Sequence, residues 1–457
     1  MVQAVRGLIG AGLILGVGAL PAAAQGVALP AVDPVGIARS GAQVAYGFSL
    51  EAASLNPALL ASLKEKGGVY LAAGVEMSSS QQSLEANQFT LFSLDRNRAI
   101  GGFGLAARLS PGLTLGLKLD EPYQRHAKLL DHAFSRFLGD GIDLSAHRME
   151  GQLAWSFSPN LSLGVGLGVA RLAYDSTSVM RLNVAGDPTL PVSPTNAVNG
   201  LVEQRVGQNG SKVVPSYSLG LRWAPSPRWT LGFVHQSGLK GDIDLKAGFQ
   251  GNQLGLYAND GLSLNADLGT AAHAASLLAL ARPVAGNPTM ELPSQTTFGL
   301  RHRVTPMVTW EADLKWTSAS FRVPAFAQVQ TPSGAVTAPA ELPRGKSHLS
   351  LGASVEVELG KAWTLRGGLN LAQRSVDESA VEPMLGGSRT AAFSIGAGYK
   401  IWGGELNFGY QYRQSEDQDS RTVVGNWSAS GYRTVLPDRL RMEGMGHLLA
   451  IGFKKMF

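Results

Sequence analysis

The residues able to do chemistry in this chain are few and scattered. It has no cysteine, which removes disulfides, thiolate nucleophiles and thiolate metal sites. Its eight histidines, at 126, 132, 147, 235, 273, 302, 348 and 447, stand far apart. None lies in H-E-x-x-H, and no G-x-S-x-G occurs. His126 and His132 are six residues apart, a poor helical spacing for sharing a metal. These positions predict neither an enzyme nor a metal or cofactor site. Binding chemistry is better represented. Arg148, Glu150, Glu311, Asp313, Lys315, Arg366, Glu405 and Arg413 each fall on the polar side of an alternating segment. A guanidinium pairs well with a carboxylate, so Arg148 and Arg366 are candidates for holding a carboxylate head group. The competing expectation is that these charges pair with one another.

The elements that position these residues have a period of two. In "LSLGVGLGV" Leu161, Leu163, Val165, Leu167 and Val169 share one face, opposite Ser162 and three glycines. "TWEADLKW" sets Trp310, Ala312, Leu314 and Trp316 against Glu311, Asp313 and Lys315, and "GELNFGYQYR" behaves likewise. Such segments are strands with one apolar and one polar face. About 9–11 residues alternate in each, the length a tilted strand needs to cross a bilayer. Strands are expected near 67–77, 98–109, 112–121, 145–157, 160–174, 213–223, 228–239, 294–303, 307–319, 346–358, 361–373, 389–400, 403–414 and 445–457. That is an even number, fourteen, as closed bacterial barrels require. Short connections such as "SPG" (110–112) and "IWGG" (401–404) alternate with long ones, which suits a periplasmic and an outer rim. Trp155, Phe157, Trp223, Trp229, Trp363, Tyr399 and Trp402 lie beside the short turns, as an interfacial girdle would. The chain ends on Phe457, with alternating apolar residues before it.

Residues 1–24 read as a secretory signal: Arg6 is their only charge, 7–20 are apolar, and "PAAAQ" (21–25) offers a cleavage site. Losing Arg6 takes the net charge from +5 to +4. The basic residues form no run that would follow a phosphate backbone, so nucleic acid is not an expected partner.

Residues 25–66 do not alternate. "GIARSG" is followed about fifteen residues later by Asn56-Pro57-Ala58, where Asn suits an N-cap and Pro the first helical position. Here the chain resembles the FadL family of outer-membrane transporters of long-chain fatty acids and aromatic hydrocarbons. Gly36, Arg39, Gly41, Asn56, Pro57 and Ala58 match that family's hatch pattern, and "GLKGD" (238–242) resembles the start of its long loop after the seventh strand. Where an acidic pair is common in the family, this chain has Glu51 alone. The resemblance implies an all-β fold: a fourteen-stranded antiparallel transmembrane β-barrel (67–457), plugged by a small N-terminal helical hatch (25–66), integral to a Gram-negative outer membrane. It also implies a lateral gap at a kinked strand, for which Gly116 and Pro122 are candidates. The implied partners are a hydrophobic small molecule, outer-membrane lipid and the barrel-assembly machinery.

Two long connections carry helical apolar faces suited to capturing such a molecule. One presents Leu129, Leu130, Phe134 and Phe137; the other presents Leu277 and Leu278. Each buried methylene is worth about 0.8 kcal/mol, so a series of apolar sites can pass a lipophile inward without ATP. The alternative expectation is a diffusion porin with an open, charged bore.

Overall fold

The structure, a computed structural model, describes residues 33–46, 50–84, 89–128, 141–183, 201–249, 282–284, 286–324, 328–330, 345–375, 387–420, 423–425, 434–436 and 440–457. The proposed signal segment lies outside the described residues, and so do Leu129, Leu130, Phe134, Phe137, Leu277 and Leu278.

Fourteen strands form the wall. They are β1 (Gly67–Leu84), β2 (Phe89–Ser110), β3 (Leu113–Lys128), β4 (Gly141–Ser158), β5 (Leu161–Asn183), β6 (Leu201–Trp223), β7 (Trp229–Gln236), β8 (Gln295–Arg303), β9 (Val308–Thr317), β10 (His348–Leu359), β11 (Trp363–Ala372), β12 (Thr390–Ile401), β13 (Gly404–Ser420) and β14 (Leu440–Met456). Each pairs antiparallel with its neighbours in sequence, and β14 returns to β1 from Gly68↔Met456 to Leu84↔Leu440. The sheet is closed, so every wall strand has a partner on both sides. Among the described residues no helix is long and apolar enough to cross a membrane.

Alternation places the side chains as expected. Leu163, Val165, Leu167 and Val169 of β5 are exposed on the outside, while Ser162 and Ala170 are buried inside. Trp155, Phe157, Trp223, Trp229, Trp363 and Trp402 ring the outer surface beside the short turns. Trp155 packs on Phe157 at 4.0 Å between ring centroids, and Trp363 on Tyr399 at 4.5 Å. The turn between β12 and β13 has positive φ at both central residues, 52° at Trp402 and 69° at Gly403, which matches the twist of a tight hairpin.

Several strands run further than their alternation predicts, always toward the long connections. β1 continues to Leu84, β5 to Asn183 and β13 to Ser420. Apolar alternation marks only the stretch that meets lipid. Beyond it the ladder persists on backbone hydrogen bonds, and no side-chain pattern reports it.

The wall also turns inward. After β7 and before β8, Leu239–Asp242 pairs with Thr289–Leu292 to form a two-stranded flap. Leu239, Met290 and Leu292 are buried on one face of it, and Lys240 and Glu291 pair at 3.6 Å on the other. The Tyr123 hydroxyl donates to the Pro293 carbonyl, and that of Tyr174 to the Pro324 carbonyl at 3.0 Å.

Candidate functional site

Residues 33–46 and 50–63 lie inside the barrel as short turns. The first is helix α1 (Pro34–Ala38), capped by Asp33, whose carboxylate accepts from the Gly36 N–H at 2.7 Å. Ser40 and Gly41 follow with φ of 52° and 83°, and the Gly41 N–H closes back on the Gly36 carbonyl at 2.8 Å. This left-handed exit is what the glycine spacing of "GIARSG" provides. Helix α2 (Leu50–Ala53) comes next, then a 3₁₀ turn over Pro57–Ser62. That turn is 3₁₀ rather than α, and Gly67-Gly68 open β1.

Inward glycines let this segment press against the wall. A Cβ on Gly164 would stand 2.3 Å from the Ala58 nitrogen, and one on Gly220 would stand 2.1 Å from Asn56 Oδ1. Similar overlaps would arise at Gly368 against Arg39, Gly396 against Ala38 and Gly409 against Pro34. Only residues without side chains permit backbones this close. Asn56 is wholly buried. Its amide donates to the carbonyls of Val44 (2.9 Å) and Leu221 (3.2 Å), and its Oδ1 accepts from the Ala58 N–H (3.1 Å).

Charge completes the attachment. Arg39 has no exposed surface and reaches Glu311 at 2.7 Å, with its guanidinium 4.1 Å from the centre of the Tyr46 ring. Glu311 also accepts from the Ala45 N–H, and Asp313 from the Gln43 and Val44 N–H groups. The Tyr46 hydroxyl donates to Glu356 at 2.6 Å. Burial, and then the Glu356 carboxylate, push that hydroxyl up to about 12, so it stays a donor. Arg366 binds Glu356 (2.8 Å), Glu405 (3.1 Å) and Asn407 (2.7 Å). Lys454 links Glu405 (3.2 Å) to Glu51 of α2 (3.4 Å). The single acid where a pair is common is therefore anchored by the last strand.

A second network lies under the opposite wall. Lys118 donates to the Ser54 carbonyl at 2.8 Å and pairs with Glu150 at 3.3 Å. Arg148 grips Asp120 through two bonds, of 2.8 and 2.5 Å. Beside them the wall is incomplete. β2 pairs with β3 only from Phe103↔Leu119 down to Ser110↔Leu113. The β3–β4 register shifts between Asp120 and Tyr123, leaving Glu121-Pro122 outside the ladder. Proline there has no N–H to give. Further up, Arg98 spans the gap to Glu121 (2.9 Å) and Asp143 (3.0 Å). Between these limits a cavity of about 660 Å³ opens through the wall, with Leu71, Phe103, Leu119 and Met149 on its outer side. A smaller cavity of about 50 Å³ lies in the bore above the plug, lined in part by Asp33, Ser40, Pro122 and Lys315. Asp120 and Arg148 line both.

The wall is thus a closed fourteen-stranded barrel with an internal N-terminal plug and a gap between β2 and β3. The sequence matches the family described as "Outer membrane protein transport protein (OMPP1/FadL/TodX)" over residues 15–457. The chain belongs to this FadL/TodX family. No curated protein matches it. Among solved structures, a Pseudomonas aeruginosa FadL homologue superposes with a TM-score of 0.73 at 16% identity, covering 95% of this chain and 100% of its own. The Ralstonia pickettii toluene transporter TbuX gives 0.61 at 16%, covering 94% and 99%. The P. putida toluene transporter TodX gives 0.63 at 14%, again covering 94% and 99%. At such identities these likenesses concern the fold. Family and fold together make this an integral outer-membrane barrel of a transport family, and its occupied bore departs from the open porin that was the alternative.

The residues expected to form a hatch lie together inside the bore: Arg39 against β9–β11, Gly36 and Gly41 bonded to each other around it, and Asn56-Pro57-Ala58 against β5 and β6. Arg148 lies at the wall opening, and Arg366 lies lower, within the plug's anchoring network. Gly116 is in the intact part of the ladder and faces Leu60, while Pro122 stands at the gap. Sequence reading passed over Tyr46 and Lys118. The inward glycines of 162–168 did signal a close approach by the plug, and Gly164 receives Pro57 and Ala58 there.

Proposed function

We propose that this protein carries hydrophobic compounds inward across the outer membrane by diffusion, without chemistry on the cargo, and that they leave through the wall between β2 and β3 rather than past the plug. The supporting observation is that Asp120 and Arg148 face both the bore cavity and the wall opening. Passing between the two needs local movement at one ion pair. Passing the plug needs the release of Arg39, Tyr46, Glu51 and Asn56 together. The outer rim of the opening is apolar, as delivery into lipid requires.

In this reading residues 25–66 are a fixed plug, with Gly36, Arg39, Gly41, Asn56, Pro57 and Ala58 holding it shut. The cargo is an aromatic hydrocarbon, as the names of the toluene transporters suggest, or a long-chain fatty acid. For a carboxylate, Arg148 is the candidate partner, with Lys315, which faces the bore cavity and makes no ion pair among the described residues. Arg366 is already committed to two acids. Leu129, Leu130, Phe134, Phe137, Leu277 and Leu278 are proposed as the outer capture surface. Outer-membrane lipid is the surrounding partner, and the barrel-assembly machinery is the expected route of insertion.

The test is uptake of radiolabelled toluene and of palmitate by cells or proteoliposomes carrying Gly101→Trp. A Cβ at Gly101 meets only the Ala72 carbonyl, at 3.1 Å, so the indole can fill the opening while the barrel folds. Uptake should fall at least about tenfold, the equivalent of about 1.4 kcal/mol. Unchanged uptake would show that cargo leaves elsewhere.

A further inference from the structure

The short-turn end of the barrel, which faces the periplasm in bacterial barrels, is charged in a way the transport path does not use. Arg108, Arg222, Arg301, Arg303 and Lys400 sit opposite Thr114, Ser162, Glu311, Thr309 and Glu405 in their ladders. Thr114, Ser162, Glu311 and Thr309 are buried inside the barrel, and Glu405 points inward to Arg366 and Lys454. Directly opposed residues share a face, so these five cations have inward register and ring the bore's lower mouth. Arg108, Arg303 and Lys400 are exposed, and so is Lys66 where the plug meets β1. None of the six makes an ion pair among the described residues. Nε of Arg222 and of Arg301 is buried without a hydrogen-bond partner. Arg301 lies opposite Glu311 and over the Tyr46 ring, but the nearby acids leave Arg108, Arg303 and Lys400 uncompensated. Glu311 is held by Arg39 and Glu405 by Arg366 and Lys454, which leaves Glu65 and Glu358 exposed at this end.

We propose that this mouth is a docking surface for an acidic soluble protein of the periplasm. The alternative anion at this depth is a phospholipid head group, and the register argues against it. The side chains that face lipid at this level include Trp155, Trp223, Trp229, Trp363 and Trp402, with Lys455 also of outward register, while the five cations of the ring face the aqueous bore. An occupant that meets them must come from solution. Carboxylates brought to such a concave ring gain from several unpaired cations at once, an attraction that salt screens over roughly 10 Å at 0.1 M. This inference is independent of which cargo crosses the wall.

The experiment uses the full-length protein in nanodiscs and a fluorescein-labelled sixteen-residue polyglutamate peptide as the probe. Binding is expected in zwitterionic discs, weakening at least about tenfold between 20 and 200 mM salt. Arg108→Glu, Arg303→Glu and Lys400→Glu together should abolish it, and the three changes to Gln should weaken it at least about tenfold. Lys212→Glu with Lys246→Glu, at the opposite end, should leave it unchanged. Heat-modified gel mobility checks that each variant is folded. The proposal is overturned if the peptide does not bind, or binds the mouth variants as well as the parent. It is also overturned if the same three residues instead retain phosphatidylglycerol in native mass spectra.

Discussion

Asn56 shows how one side chain serves both local and global structure. It caps its own turn through the Ala58 N–H and ties that turn to Val44 and to Leu221 of the wall. The Asn-Pro-Ala turn was legible because capping is chemistry among neighbours. Its receptor was legible only in part: the inward glycines around Gly164 invite a close backbone, but nothing near Gly220 in sequence says that a plug arrives there. Gly220→Val is expected to displace the turn and make cells leaky to small polar dyes. Dye influx equal to the parent's would remove the seal from this contact. Asp33 gives a pH signature. Burial, against the Gly36 N–H and aided by Glu51, raises its carboxyl from 3.8 to about 6. The folded plug therefore holds the proton more tightly than the unfolded one. The stabilisation is full below about 3.8 and is lost as pH rises through about 6, a difference of roughly 3 kcal/mol at about 1.4 per unit. Asn caps helices as well as Asp. Asp33→Asn should thus flatten the pH dependence of hydrogen exchange across residues 34–46, after correction for intrinsic rates. A variant as pH-dependent as the parent would place the titration elsewhere.

At the scale of elements, lipid-facing alternation made all fourteen strands and their order readable, because a membrane demands that pattern of every strand. What the pattern does not encode went unread. The flap of Leu239–Asp242 and Thr289–Leu292 has four-residue strands, too short to show a period. The break beside β3 arises where two strands fail to pair, which depends on partners distant in sequence. Pro122 alone hinted at it. Tyr123 follows the shifted segment of β3 and holds the flap at Pro293. Tyr123→Phe keeps the ring and removes the bond, worth about 1 kcal/mol. Amides of Met290 and Leu292 should then exchange several-fold faster while β4 and β5 are unchanged. Equal exchange would mean the flap is held by its apolar face alone.

For the whole molecule, closure is the condition for existing in lipid, since an unpaired edge leaves backbone groups with nothing to bond. β14 closes the ladder on β1 and β13 and also carries Lys454, which reaches the plug's Glu51. Deleting residues 440–457 should therefore abolish the compact, heat-modifiable form altogether instead of yielding a smaller barrel. A folded thirteen-stranded product on an unheated gel would contradict this.

The plug's last turn ends at Ser62 and the first strand begins at Gly67, so four residues join stopper to cylinder. Fully stretched, they span about 14 Å. A stopper on so short a leash can tilt or loosen but cannot be lost to the surrounding fluid. Any leak it permits must be brief, because reseating is a unimolecular event that no dilution can slow.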